Sequence, residues 1–236
     1  MKKTGLISKS AYIRGLQCPK SLYLYKNNYA DREKPSPELL ERFRKGNDFG
    51  ALAWQLFPGG MDMSPKMQYS GVLLAAADRV KQILLQYHDI ILYEAAFCHQ
   101  PCVCIMDIAV RSEGLLYAYE VKSSVNISST YLNDAAYQYY VMSKAGFAPV
   151  QMNIVHLKEG ADLNELLHVE DMRVTDVTRQ VLDLQSDVEE HVRQLLSALQ
   201  TEDTLLIPRG EQCEFPYHCD FVSYCTRQEK KIKITP

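Results

Sequence analysis

An α/β fold, with a mixed central sheet flanked by helices, is predicted by three features of the 236-residue sequence. Residues 71–87 carry apolar side chains at 73, 76, 80, 83, 84 and 87, the period of a helix. Three short apolar runs follow, at 90–97, 103–110 and 115–121. They are separated by the turn-like His99-Gln100-Pro101 and Ser112-Glu113-Gly114, and read as a three-strand meander. A helix over 129–145, with N-cap candidates at 128–130 and Gly146 as a natural stop, leads to a fourth strand over 150–157. A helical crossover normally brings such a strand in parallel to its neighbour.

The flanks are helical. Residues 8–25 and 39–56 are two expected helices, divided by Pro35-Ser36-Pro37 and closed by Pro58-Gly59-Gly60. Val177, Val181, Leu184, Val188, Val192, Leu195 and Leu199 mark one long amphipathic helix over 176–199. From Pro208 the chain is cysteine-rich and reads as loop. Four parts result: a helical lead-in (1–60), the sheet core (61–160), the amphipathic-helix region (161–207) and the cysteine-rich tail (208–236).

A composition of 47% hydrophobic and 23% charged residues excludes a disordered or fibrous chain. No run reaches the ~20 apolar residues that span a bilayer, and polar Ser8, Lys9 and Ser10 follow the start where a signal core would be apolar. The expectation is a cytoplasmic protein with no membrane partner. The net charge of −3 argues against nucleic acid only when taken whole, because it hides an asymmetry. Residues 1–50 hold 11 Lys and Arg against 5 Asp and Glu, while residues 158–206 hold 4 against 12.

Glu94, Asp107 and Glu120 each interrupt an apolar strand, where an unpaired buried carboxylate is costly. In a meander all three can converge at one edge of the sheet, and Glu120 and Lys122 share a face because strand side chains alternate. Converging carboxylates suit a hard divalent cation, Mg²⁺ or Mn²⁺, which activates water and offsets phosphodiester charge. Lys122 beside them can position the attacking water or stabilise developing negative charge.

Seven cysteines without an export signal make a disulfide framework improbable. Cys213, Cys219 and Cys225 form C-x5-C-x5-C among aromatics, and Cys18 stands far upstream in Gly-Leu-Gln-Cys-Pro-Lys. Four thiolates suit zinc or a 4Fe-4S cluster, and the wide gaps favour the cluster. Cys98, Cys102 and Cys104 read as small core residues, and His218 as a surface histidine.

With Gln138-Tyr139-Tyr140 on the helix after Glu-Val-Lys, the sequence resembles the PD-(D/E)XK nuclease superfamily and, within it, the RecB-like branch. The one-plus-three cysteine split resembles the CRISPR-associated iron–sulfur exonucleases, the iron–sulfur helicase–nuclease subunits and a related uncharacterised bacterial family. The resemblance runs from about residue 8 to 225. It implies a restriction-endonuclease-like core and an iron–sulfur subdomain formed by the two chain ends. It implies Asp107 and Glu120 as metal ligands, with Glu94 as an additional acid. Lys122 then looks like the catalytic lysine, and Gln138 with Tyr139 or Tyr140 like the helical element that supports the site or the DNA. Cys18, Cys213, Cys219 and Cys225 would hold the cluster. The implied activity is a metal-dependent deoxyribonuclease, an exonuclease on single-stranded ends, in CRISPR adaptation, defence or repair, alongside adaptation or helicase partner proteins.

One feature departs from the branch. Its usual histidine ligand near a glycine-rich turn is missing from Arg44-Lys45-Gly46-Asn47-Asp48-Phe49-Gly50, leaving Asn47, Asp48 or a water in that role. A non-catalytic iron–sulfur nucleic-acid-binding or assembly subunit is therefore the alternative, and a zinc-stabilised structural protein a third. The basic residues Lys2, Lys3, Lys9, Arg14, Lys20, Lys26, Arg42, Arg44 and Lys45, interleaved with Tyr12, Tyr23, Tyr25 and Tyr29, are an expected single-strand surface.

Overall fold

The computed structural model describes residues 5–67 and 69–234, so Lys2 and Lys3 of the basic stretch lie outside the described residues. Six strands form one sheet in chain order: β1 (Met61–Asp62), β2 (Ile90–His99), β3 (Cys102–Ser112), β4 (Leu115–Lys122), β5 (Gln151–Leu157) and β6 (Met172–Asp176). Strands β2 to β4 are the expected antiparallel meander. Helix α5 (Ser129–Lys144), capped by Ser128 on the Tyr131 N–H, brings β5 in parallel to β4. Short β1 pairs parallel with β2, and β6 antiparallel with β5; both were invisible to the period-two pattern.

Helices cover both faces. On one lie α1 (Lys9–Gln17), α4 (Ser70–Gln86), α5, α6 (Thr178–Asp183) and α7 (Gln185–Ala198), packed over Leu92, Phe97, Met106, Ala118 and Ile154. On the other, α3 (Pro37–Ala53) and the turn after it bury Phe49 and Ala53 against Tyr93, Ile108 and Val155. Trp54 stacks on Tyr93 with ring centroids 4.4 Å apart. Among the described residues no helix is long and apolar enough to cross a membrane.

The expected helix over 8–25 is two helices. Pro19 has no N–H to continue a helix and pushes the residue before it out of helical geometry. Cys18 is accordingly extended, at φ −161° and ψ 110°, ending α1 and opening α2 (Pro19–Asn27). The lead-in is also part of the core. Ile7 pairs with β3, and Tyr12 stacks on Tyr137 of α5 at 4.5 Å. The long helix expected over 176–199 is likewise interrupted, at Leu184, into α6 and α7. Val188, Val192 and Leu195 of α7 pack inward and the acidic residues face out.

The tail is not all loop, because it ends in α8 (Val222–Ile234). It is clasped to the N-terminal helices by Asp220. Arg14 donates to both its carboxylate oxygens, at 2.6 and 2.9 Å, and Arg32 adds a third bond. Charge-assisted bonds of this kind are worth about 1.5–3 kcal/mol each. Asp220→Asn is expected to lower the unfolding free energy by about 1.5–3 kcal/mol, read as a lower midpoint in urea; an unchanged midpoint would show that the clasp holds nothing.

Candidate functional site

The strand registers set three carboxylates side by side. Tyr93 opposite Ile108 and Ala95 opposite Met106 put Glu94 across from Asp107. Continuing the β3–β4 ladder one step beyond Ile108–Tyr119 puts Asp107 across from Glu120. The row is also where the sheet is irregular. Glu94 has φ +51°, a left-handed conformation that is rare and costly outside glycine. On β2, Ile91 and Tyr93 join the α3 layer whereas Ala95 and Phe97 join the α5 layer. On β3, Cys104 and Met106 face α5 whereas Ile108 and Val110 face α3. Both strands thus exchange faces at the carboxylates. There the Val121 N–H, at the end of the ladder, bonds the Asp107 carboxylate at 2.6 Å.

Glu120 is the centre of the charge network. Its side chain is 1% exposed; Lys122 Nζ lies 2.7 Å from Oε1, Lys9 of α1 contacts the same oxygen, and Gln138 Nε2 donates to Oε2 at 2.7 Å. Burial pushes its carboxyl up, but the two ammonium groups outweigh that and hold it well below the usual carboxylate range. Burial alone would lower Lys122, yet Glu120 and Asp134 hold it charged, above the ordinary lysine value. Asp107 has the opposite environment. Burial first, then repulsion from Glu120, push it well above the usual range. Glu94 is raised mainly by burial, with repulsion from Glu120 opposing the help of Lys9.

Helix α5 braces this row with one face. Asp134 pairs with Lys122, and Gln138, one turn later, bonds both Glu120 and the Ile105 carbonyl at 3.0 Å. Its Oε1 is buried without a hydrogen-bond partner among the described residues. Tyr131, one turn before Asp134, lies under Lys122 Nζ at 5.1 Å from its ring centroid. Sequence reasoning named Glu94, Asp107, Glu120, Lys122 and Gln138, which the fold brings together, but missed Asp134 and read Lys9 as part of a single-strand surface. The i, i+4 spacing from Asp134 to Gln138 is a signal that could have found the former. No local signal points to Lys9, which is 111 residues from Glu120.

The four cysteines converge as well. Cys18, Cys213, Cys219 and Cys225 line one cavity between the start of α2 and the tail, together with Lys20, Ser21, Leu24 and Phe221. Cys18 stands at the N-terminus of α2, where the Ser21 and Lys20 backbone amides favour its thiolate against burial. Burial raises the thiols of Cys18 and Cys225, and the neighbouring cysteines add to it. Cys98, Cys102 and Cys104 stand apart on β2 and β3, the last two buried as expected.

The expected nucleic-acid surface needs correction. Lys20 is 7% exposed and donates to the Ile207 carbonyl at 3.0 Å, so it serves the cysteine cavity and no DNA-facing surface. Tyr140 is 9% exposed in the core, and Tyr139 packs against the same core half-buried. Tyr12 and Tyr23 are buried. Lys9 and Arg14 serve internal carboxylates, and Lys26 the Leu6 carbonyl. Asp48 and Asn47 are exposed on α3, Asp48 in an ion pair with Arg44 at 2.8 Å. His218 is exposed beside Glu214, as expected.

Among the described residues no three His, Cys, Asp or Glu side chains stand closely enough to cage an ion as they are. No protein-family model and no curated protein matches the chain.

The contrast between Glu120 and Asp107 is testable in metal-free protein. Glu120→Gln leaves two ammonium groups short of their counter-charge and is expected to destabilise by about 3–5 kcal/mol. Asp107→Asn keeps an acceptor for the Val121 N–H and removes a repelled carboxyl, so it should leave stability unchanged or raise it. Urea melts of the two variants side by side check the ordering.

Proposed function

We propose that this chain is a Mg²⁺- or Mn²⁺-dependent deoxyribonuclease of the RecB-like PD-(D/E)XK type, with a 4Fe-4S cluster held by its two ends. The observation that carries the reading is the row Glu94–Asp107–Glu120 across adjacent strands, ending beside a charged, doubly paired Lys122.

The donor chemistry supports a hard divalent cation at Asp107 and Glu120, with Glu94 beside them. When bound, such an ion supplies charge that activates water and neutralises the phosphodiester. The chain's own residues do the rest. Glu120 and Asp134 keep the Lys122 ammonium protonated and aimed, where it can orient water and meet negative charge on the phosphate. Gln138 holds the second oxygen of Glu120, which fixes the carboxylate plane. Lys9 neutralises Glu120 from α1.

Four thiols around one cavity, three of them buried, are a donor set that suits a cubane cluster, and the helix N-terminus at Cys18 favours negatively charged sulfur there. The clasped tail supports the reading that the cluster ties the chain ends around the nuclease core.

A second reading, nucleic-acid binding without cleavage, is favoured by the lack of a ligand on α3: Asn47 and Asp48 face solvent. Cutting decides between them. End-labelled single-stranded DNA should be degraded with Mn²⁺ or Mg²⁺ and spared in EDTA, and Lys122→Ala should slow cleavage by about 100-fold or more. DNA retained but intact would establish the second reading. Anaerobically purified protein should be brown and contain iron and labile sulfide in equal amounts. Cys225→Ser should lose most of both, whereas zinc in their place would overturn the cluster.

A further inference from the structure

Lys20 is a buried charge without a counter-charge. It is 7% exposed, and among the described residues it makes no ion pair. Its ammonium donates to the Ile207 carbonyl at 3.0 Å, which occupies one of its three N–H groups. Lys9 and Lys122, by contrast, each lie against the Glu120 carboxylate. The position of Lys20 adds to the cost. It is the second residue of α2, whose first turn carries no acid, and the positive end of a helix disfavours a cation. An unpaired buried charge is expensive, so both observations call for an anion within reach.

The cavity beside Lys20 has room for one. Its lining sets Lys20 among Cys18, Cys213, Cys219 and Cys225 and includes no Asp or Glu. Arg209, the other cation of that lining, is already engaged: it is exposed, pairs with Glu229 at 2.8 Å and donates to the Thr226 hydroxyl at 2.7 Å. The walls are pinned as well. Gln17 donates to the Gln212 carbonyl at 2.8 Å and the Tyr217 carbonyl at 2.6 Å, so the tail loop is held against the helices that carry Cys18 and Lys20. Burial pushes the Cys225 thiol up, and the charge of Lys20 is the strongest influence against that rise.

We propose that Lys20 is the internal counter-ion of the thiolate-bound group in this cavity, and that its charge sets the reduction potential of the 4Fe-4S cluster. The inference rests on the cluster reading above and goes beyond it, from a group that ties the chain ends together to one tuned for electron uptake. Four thiolates leave a cubane core net negative, and one electron accepted from an external donor deepens that charge. A fixed positive charge close by stabilises the reduced form more than the oxidised one, which raises the potential.

The test is a redox titration of anaerobically purified protein with dithionite as the donor, followed by electron paramagnetic resonance. Lys20→Met should shift the balance toward the oxidised cluster tenfold or more, a fall in midpoint of about 59 mV for one electron. Lys20→Arg keeps the charge and should stay near wild type. A Lys20→Met protein that folds by circular dichroism but holds no iron, beside an iron-loaded Lys20→Arg, would support the same role. An unmoved midpoint in Lys20→Met, equal falls in both variants, or loss of iron from both would overturn it and leave Lys20 serving only the Ile207 carbonyl. Wild type without iron would sink the cluster reading and this proposal together, whereas iron with an unmoved midpoint sinks the role of Lys20 alone.

Discussion

The buried charge of Glu120 is the constraint around which this molecule is arranged. A carboxylate with 1% exposure is tolerable only if its charge and both oxygens are met from inside the protein. Three elements far apart in the chain supply this: Lys9 from α1, Lys122 from the same strand and Gln138 from α5. Each partner brings further structure with it. Gln138 reaches the Ile105 carbonyl, Lys122 recruits Asp134, and Lys9 fixes one end of α1 against the sheet.

Through α1 the carboxylate row is joined to the cysteine cavity. The helix is nine residues long, so about 13 Å separates Lys9 from the residue that follows it, Cys18. Pro19 makes that residue extended, and the turn presents the thiol at the N-terminus of α2 while Gln17 beside it pins the tail loop. Asp220, next to Cys219, is clasped by Arg14 of the same helix. A short rigid rod therefore has a site-facing lysine at one end and the tail's anchor points at the other.

The irregularity of the sheet belongs to the same design. Glu94 and Asp107 sit where β2 and β3 exchange faces, and a regular ladder would bury them in one apolar layer or the other. The exchange leaves both near the end of β4, with Asp107 accepting from the Val121 N–H in addition to facing Glu120. The left-handed backbone at Glu94 is the local cost of that arrangement.

Much of this was legible in the sequence. Periodicity and turn chemistry are short-range signals, so the meander, its crossover helix and the common face of Glu120 and Lys122 followed from residues alone. So did the separation of the four cavity cysteines from Cys98, Cys102 and Cys104. What failed were inferences that composition cannot place in space. Eleven Lys and Arg in residues 1–50 suggested a DNA surface, but Lys9, Arg14, Lys20 and Lys26 turn inward, because buried carboxylates and carbonyls need donors wherever the fold leaves them. Tyr139 and Tyr140 went to the core because α5 is covered by α1 and α7. The sequence by itself determined which residues are chemically capable: three acids in strands, one lysine beside them and four thiols. Tertiary structure alone decided their partners, since Lys9–Glu120 and Gln17–Tyr217 are contacts across 111 and 200 residues, set by packing rather than by any local pattern.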